Sequence, residues 1–289
     1  MSVKVIETKQ LTKYYGKARG IIESNLVVNE GDVFGFIGPN GAGKSTTIRT
    51  ILGMIKPTSG SAHVFGKDVV ENGVQIRRNI GYMPSEAQFY PQMRVEDVIK
   101  LAANLHKKDC VEVANELCDR FQVDRKKKIE DLSLGNRKKI SIVCALQHEP
   151  ELLILDEPTS GLDPLMQKEF FDVLQDRNKK GTTIFLSSHV LPEIQEYCNR
   201  AAIIKEGRII AQGPVEELAK SNAKRVTIYG IKEMPQISET IDIKEVDHGF
   251  SFLYKGKIKE LLPILNKMDI KDLTITEPSL EEIFMHFYQ

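Results

Sequence analysis

Three short apolar runs stand out along the chain: Val33-Phe34-Gly35-Phe36-Ile37, Leu152-Leu153-Ile154-Leu155 and Ile184-Phe185-Leu186. Their lengths and unbroken hydrophobicity predict strands buried on both faces, as in a parallel sheet. Residues 3–9 and 24–29 instead alternate apolar and polar, which predicts a half-exposed antiparallel sheet. Ser61 to Gly66 and Ile80 to Pro84 add short strands, the second stopped by its proline. Helical spacing appears over 47–52, across 95–122, where Val98, Leu101, Ala102 and Leu105 recur, in the segment opened by Leu132 to Lys139, and from Leu165 to Asn178. Residues 201–213 read as a hairpin around Glu206-Gly207. Strands alternating with helices over this length predict an α/β core.

A polar stretch at Ala219-Lys220-Ser221-Asn222 marks a boundary. Beyond it, strands are expected at 225–229, 241–246, 250–254 and 273–276, with helices at 258–268 and 280–288. That order describes a small α+β sandwich of ferredoxin-like type, with no catalytic constellation of its own. The chain of 289 residues is thus read as a large domain, 1–220, followed by a small one, 221–289.

Charge narrows the field. Forty basic and forty acidic side chains cancel, so no global field favours nucleic acid or an anionic membrane surface. The four cysteines, at 110, 118, 144 and 198, have neither metal-type spacing nor the look of a disulfide framework. No run approaches the ~20 apolar residues of a membrane span. The expectation is a soluble, cytoplasmic chain whose membrane role, if any, comes through a partner. Arg125-Lys126-Lys127-Lys128 is read as a solvated face.

The chemistry gathers at strand ends. Gly38-Pro39-Asn40-Gly41-Ala42-Gly43-Lys44-Ser45-Thr46 fits G-x-x-x-x-G-K-S and lies between a predicted buried strand and a helix. Glycines let such a loop point its N–H groups inward, and the helix start adds partial positive charge, so the segment suits phosphate. Lys44 then reaches the β- and γ-phosphates and Ser45 offers a hydroxyl to Mg²⁺. Asp156 and Glu157 end another buried strand, where an open α/β sheet places its chemistry. Asp156 suits Mg²⁺ and Glu157 suits an attacking water. His189 ends a third such strand and could donate to a γ-phosphate. Ser133, before a helix, reads as an N-cap and a second place for an anion. Tyr15, beside Gly16, offers a flat ring to an adenine.

Taken together, these motifs in this order resemble the nucleotide-binding subunit of ATP-binding cassette (ABC) transporters over residues 1–220. The resemblance implies a P-loop NTPase core, an antiparallel β subdomain and a helical subdomain near 85–150. It matches Tyr15 to the adenine-stacking aromatic and Gly38, Asn40, Gly41, Ala42, Gly43, Lys44, Ser45 and Thr46 to the Walker A loop. Asp156 and Glu157 match Walker B and its catalytic glutamate, Asp163 the D-loop, and His189 the switch histidine. Ser133 and Gly135 match the signature motif, whose usual glycine and glutamine are here Leu134 and Asn136. Ser85 stands at the metal-facing glutamine-loop position and is too short to reach a Mg²⁺-bound water without help from Glu86 or another water.

The resemblance further implies ATP and Mg²⁺ as cofactors, and a second nucleotide-binding subunit, the same or different, whose signature serine closes each site. It also implies an integral membrane transporter subunit that would hold the chain at the inner face of the cell membrane. The end of the chain, from Glu277 to Phe284, resembles the accessory domain of bacterial exporters of drugs, antibiotics and antimicrobial peptides. Two other readings share the motifs: a non-transport ABC ATPase, and a hydrolysis-poor ATP-binding half of a heterodimer.

Overall fold

A computed structural model describes residues 3–218, 223–231 and 233–278. The chain divides into two compact units, Met1–Val215 and Glu216–Gln289. The polar stretch 219–222 and the expected helix at 280–288 lie outside the described residues.

The first unit opens with β1 (Lys4–Tyr15), β2 (Ala18–Ser24), β3 (Val27–Asn29) and β4 (Val33–Ile37), then α1 (Lys44–Ile51). Next come β5 (Ser59–Val64), β6 (Lys67–Asp68), α2 (Gly73–Arg77), β7 (Ile80–Met83), α3 (Val95–His106), α4 (Val111–Arg120) and α5 (Leu134–Leu146). It closes with β8 (Leu152–Asp156), α6 (Pro164–Lys179), β9 (Thr183–Ser188), α7 (Leu191–Tyr197), β10 (Arg200–Lys205), β11 (Arg208–Pro214) and the start of α8 (Val215–Leu218).

A six-stranded sheet in the order β11-β10-β4-β9-β8-β7 carries the unit. Every pairing in it is parallel except the β10–β11 hairpin. All residues of β8 and β9 are buried, which explains why these strands read as unbroken apolar runs. Phe185 stacks on Phe34 with ring centroids 5.8 Å apart and lies 5.4 Å from Phe36, locking the middle strands together. Register then aligns the strand ends: Asp156 pairs with Ser187, and Ser187 with Phe36.

The second sheet, β2-β1-β5-β6 with β3 also on β1, is antiparallel throughout. Its β2 escapes the hydrophobic pattern because Gly20 interrupts it. A Cβ at Gly20 would meet the Lys13 carbonyl oxygen at 2.6 Å, so this strand trades propensity for a close backbone approach. The helices α3 to α5 occupy the region expected to be helical. Val95, Val98 and Ile99 form the buried side of α3, while Leu101 and Leu105 are exposed despite their helical spacing.

The second unit is an antiparallel sheet of β12 (Lys224–Tyr229), β13 (Thr240–Val246), β14 (Gly249–Tyr254) and β15 (Asp272–Thr276), with α9 (Ile258–Leu265) between the last two. The order β13-β14-β12-β15 is that of a ferredoxin-like sheet. No helix lies between β12 and β13 among the described residues. Val226, Ile228, Phe252, Leu261 and Leu265 make its core.

Candidate active site

The turn from β4 to α1 builds a cradle. Gly43 takes φ +112°, and a Cβ there would meet the Gly20 carbonyl oxygen at 2.7 Å, so only glycine fits. Helix α1 starts without a side-chain cap and without an acidic residue in its first turn, leaving its dipole end open to an anion. A cavity of about 360 Å³ results, walled by Arg19, Gly20, Pro39, Asn40, Gly41, Gly43, Lys44, Ser45, Thr46, Ser85 and Glu157. Gly38 and Ala42 shape the loop from behind: Gly38 supplies a carbonyl to Lys44, and Ala42 accepts from the Gly207 N–H.

Lys44 is only 6 % exposed. Its Nζ donates to the Gly38 carbonyl at 2.6 Å and lies 3.0 Å from Glu157 Oε1. That last contact is an ion pair without hydrogen-bond alignment, since Oε1 has no hydrogen-bond partner. The other carboxylate oxygen, Oε2, lies 2.7 Å from His189 Nδ1. A carboxylate oxygen accepts this bond, so Nδ1 carries its hydrogen, on a half-exposed ring. Glu157 itself sits at φ +50°, a left-handed conformation that costs a non-glycine residue about 1–3 kcal/mol and aims its side chain across the strand ends.

Asp156 is fully buried. Its Oδ1 accepts from Ser187 Oγ at 2.6 Å, while Oδ2 has no hydrogen-bond partner among the described residues. A buried carboxylate oxygen left this way suits a hard cation, and the Ser45 hydroxyl on the cavity wall has the right chemistry to share it. The residues present therefore fit Mg²⁺.

The remaining expected residues divide. Ser85 joins the cavity wall. Tyr15 ends β1 as a half-exposed ring beside Gly20, with Lys13 Nζ 5.5 Å from its centroid. Ser133, Gly135 and Asp163 stay off the cavity wall. Ser133 caps α5 by accepting from the Asn136 N–H at 3.3 Å, and Asp163 caps α6 through the Met166 N–H at 3.0 Å. Gly135 lies against the Gly161 carbonyl, where a Cβ would come within 2.7 Å.

One residue escaped sequence reasoning. Lys138, 3 % exposed, donates from Nζ to the carbonyls of Ser85 (2.9 Å) and Glu157 (2.8 Å). The signal was present: Lys138 shares a buried helical stripe with Ser141, Ile142 and Ala145, an odd place for a lysine.

The model of the family described as ABC transporter matches residues 22–160. Over 97 % of its length the chain is 36 % identical to the bacitracin transport ATP-binding protein BcrA of Bacillus licheniformis, covering 96 % of that protein. The chain belongs to the ATP-binding proteins of ABC transporters. A second member of this family, the uncharacterized ABC transporter ATP-binding protein YhaQ of Bacillus subtilis (strain 168), is 34 % identical over 95 % of each chain. A solved ATP-binding subunit of an ABC transporter superposes with TM-score 0.70 at 31 % identity, covering 74 % of this chain and 91 % of that one. The chain is accordingly an ABC-type ATPase, the subunit of a transporter that binds ATP. Among the described residues no helix is long and apolar enough to cross a membrane.

Proposed function

We propose that this ATPase works as a dimer clamped around two ATP molecules, driving a separate membrane-embedded subunit that exports peptides, antibiotics or other amphipathic compounds. The observation that carries the reading is the placement of Glu157, held by Lys44 on one oxygen and His189 on the other at the rim of the phosphate cradle. Phosphoryl transfer needs positioning and charge more than covalent chemistry, and these residues supply both. A γ-phosphate competing for Lys44 draws the ammonium off Glu157 Oε1 and leaves that oxygen for the attacking water. His189 keeps Oε2 fixed, and its Nδ1 hydrogen marks the carboxylate's orientation. Asp156 Oδ2 and Ser45 would hold Mg²⁺, which when bound neutralises phosphate charge.

Ser133 and Gly135, absent from the cavity wall of their own protomer, are read as closing the site of a second subunit. Their position at the start of α5, whose first turn carries no acidic side chain, suits an anion. ATP bridging two surfaces binds the closed pair better than the separate subunits and shifts the equilibrium toward it. The export of peptide-like compounds is inferred from the likeness to a bacitracin transport protein along nearly the whole chain.

For the membrane subunit, a groove of about 550 Å³ walled by the segment after α1 and by α2, β7, α3 and α5 offers Met54, Val74 and Leu105, all well exposed, with Arg77 and Arg78 at its side. A cytoplasmic helix presenting apolar and acidic side chains fits that lining.

Glu157→Gln keeps the shape but removes the charge that activates water. It is expected to retain ATP binding, lose roughly 10²–10⁴-fold in turnover, and accumulate an ATP-dependent dimer visible by analytical ultracentrifugation. Native turnover in that variant, or no dimer with Mg-ATP even when hydrolysis is blocked, would overturn the reading.

A further inference from the structure

Lys138 lies where a lysine is costly. Burial disfavours its charged form and pushes its pKa below the usual lysine range, against the pull of the Asp156 and Glu157 carboxylates. A charge is kept in such a place only when its donors are used, and here two of them are. Both acceptors are main-chain carbonyls at the site: Ser85, just beyond β7 on the cavity wall, and Glu157. The backbone of Glu157 is left-handed and needs support on both sides. On the N–H side Ser187 provides it, through its carbonyl at 3.2 Å and its hydroxyl at 3.1 Å. On the carbonyl side the support is Lys138 at 2.8 Å.

We propose that Lys138 is a positioning residue for hydrolysis: it clamps the Glu157 carbonyl, so aiming the carboxylate, and ties it to the Ser85 segment and to the helix capped by Ser133. A shift of either segment is then felt at Glu157 through main-chain hydrogen bonds that do not depend on the short Ser85 side chain. This inference rests on Glu157 being the carboxylate that serves the attacking water.

The test uses the full chain. In Lys138→Met, similar in length but without donors, kcat for ATP is expected to fall roughly 10–100-fold, the loss of hydrogen bonds from a charged donor. KM for ATP and the affinity for a non-hydrolysable ATP analogue should stay within about twofold. Normalising kcat to titrated nucleotide sites removes any loss of folded protein. Lys138→Arg, which can still donate to two carbonyls, should recover kcat to within about threefold of wild type.

Amide hydrogen exchange gives a readout independent of turnover: in Lys138→Met, exchange near Ser85 and Glu157 should quicken more than tenfold while the β4 core stays protected. Unchanged kcat per site, unchanged exchange, or equal loss in the Met and Arg variants together with ATP affinity would overturn the clamp. A wild-type chain that turns over ATP beside an equally active Lys138→Met sinks this inference alone. A wild-type chain that binds no nucleotide sinks the proposed function, and the clamp with it.

Discussion

Each unit holds a largely buried ion pair, and the two differ in what surrounds them. Lys44–Glu157 is 6 % and 15 % exposed, Arg225–Asp242 9 % and 28 %. Arg225 grips its partner twice, through Asp242 Oδ2 at 2.6 Å and the Asp242 carbonyl at 3.3 Å, across two strands of one antiparallel sheet. Lys44 has no aligned hydrogen bond to Glu157, and both groups face a cavity at the ends of parallel strands. A pair with good geometry on a sheet face holds the fold. A pair with loose geometry at a cavity is one whose partners can be exchanged for a ligand.

Three variants sharpen that contrast. Lys44→Ala deletes the counter-charge for phosphate, so ATP affinity measured by equilibrium titration should fall about 10–100-fold, the value of a lost charged hydrogen bond. Unaltered affinity would mean that Lys44 is bound to Glu157 for structural reasons, like Arg225.

Next in size, Arg225→Met should destabilise the second unit by about 1–2 kcal/mol, since Asp242 is partly solvated and only part of a buried-pair penalty applies. Partial burial raises the Asp242 carboxyl, and hydrogen bonds from Arg225 and Lys244 outweigh it, leaving its pKa below the ordinary carboxylate value. A depressed native pKa stabilises the fold above the unfolded-state value near 3.9, and that contribution is lost as pH falls through the native pKa. The difference between wild type and Arg225→Met, followed by denaturant unfolding of the full chain, should therefore be full at pH 7 and shrink below about pH 4. A difference constant down to pH 2 would remove the ion pair as its cause.

The smallest effect on the isolated chain is expected from Leu105→Glu, within about 0.5 kcal/mol in stability because the side chain is exposed. With the membrane subunit present, the same change should abolish partner stimulation of ATP turnover; full stimulation would remove the groove as the docking surface.

What the sequence disclosed follows the same division. The strands β4, β8 and β9 were legible because burial on both faces writes itself as an apolar run, and the chemistry at their ends came with them. Strand β2 was hidden, since Gly20 is chosen for the approach of Lys13 and Thr46 rather than for strand propensity. Leu101 and Leu105 obey helical spacing yet face outward, because periodicity reports an apolar stripe and not what covers it. Lys138 was passed over as one cation among several in Arg137-Lys138-Lys139, although only tertiary packing separates it from its neighbours. Ser133, Gly135 and Asp163 stand off the cavity of their own chain, and it was the resemblance, not the order of the motifs along the chain, that assigned the signature serine to a second subunit's site.

The in-register row Phe36, Ser187, Asp156 has a last consequence. Slipping one strand by a single residue would turn the acidic side chain to the opposite face and bring an aliphatic one forward in its place. The Asp156 carboxylate is thus mounted on the ladder itself, and its aim is as durable as the alignment of the aromatic rungs beneath it. Thermal loss of the Asp156 alignment in such an arrangement arrives with the melting of the sheet rather than ahead of it.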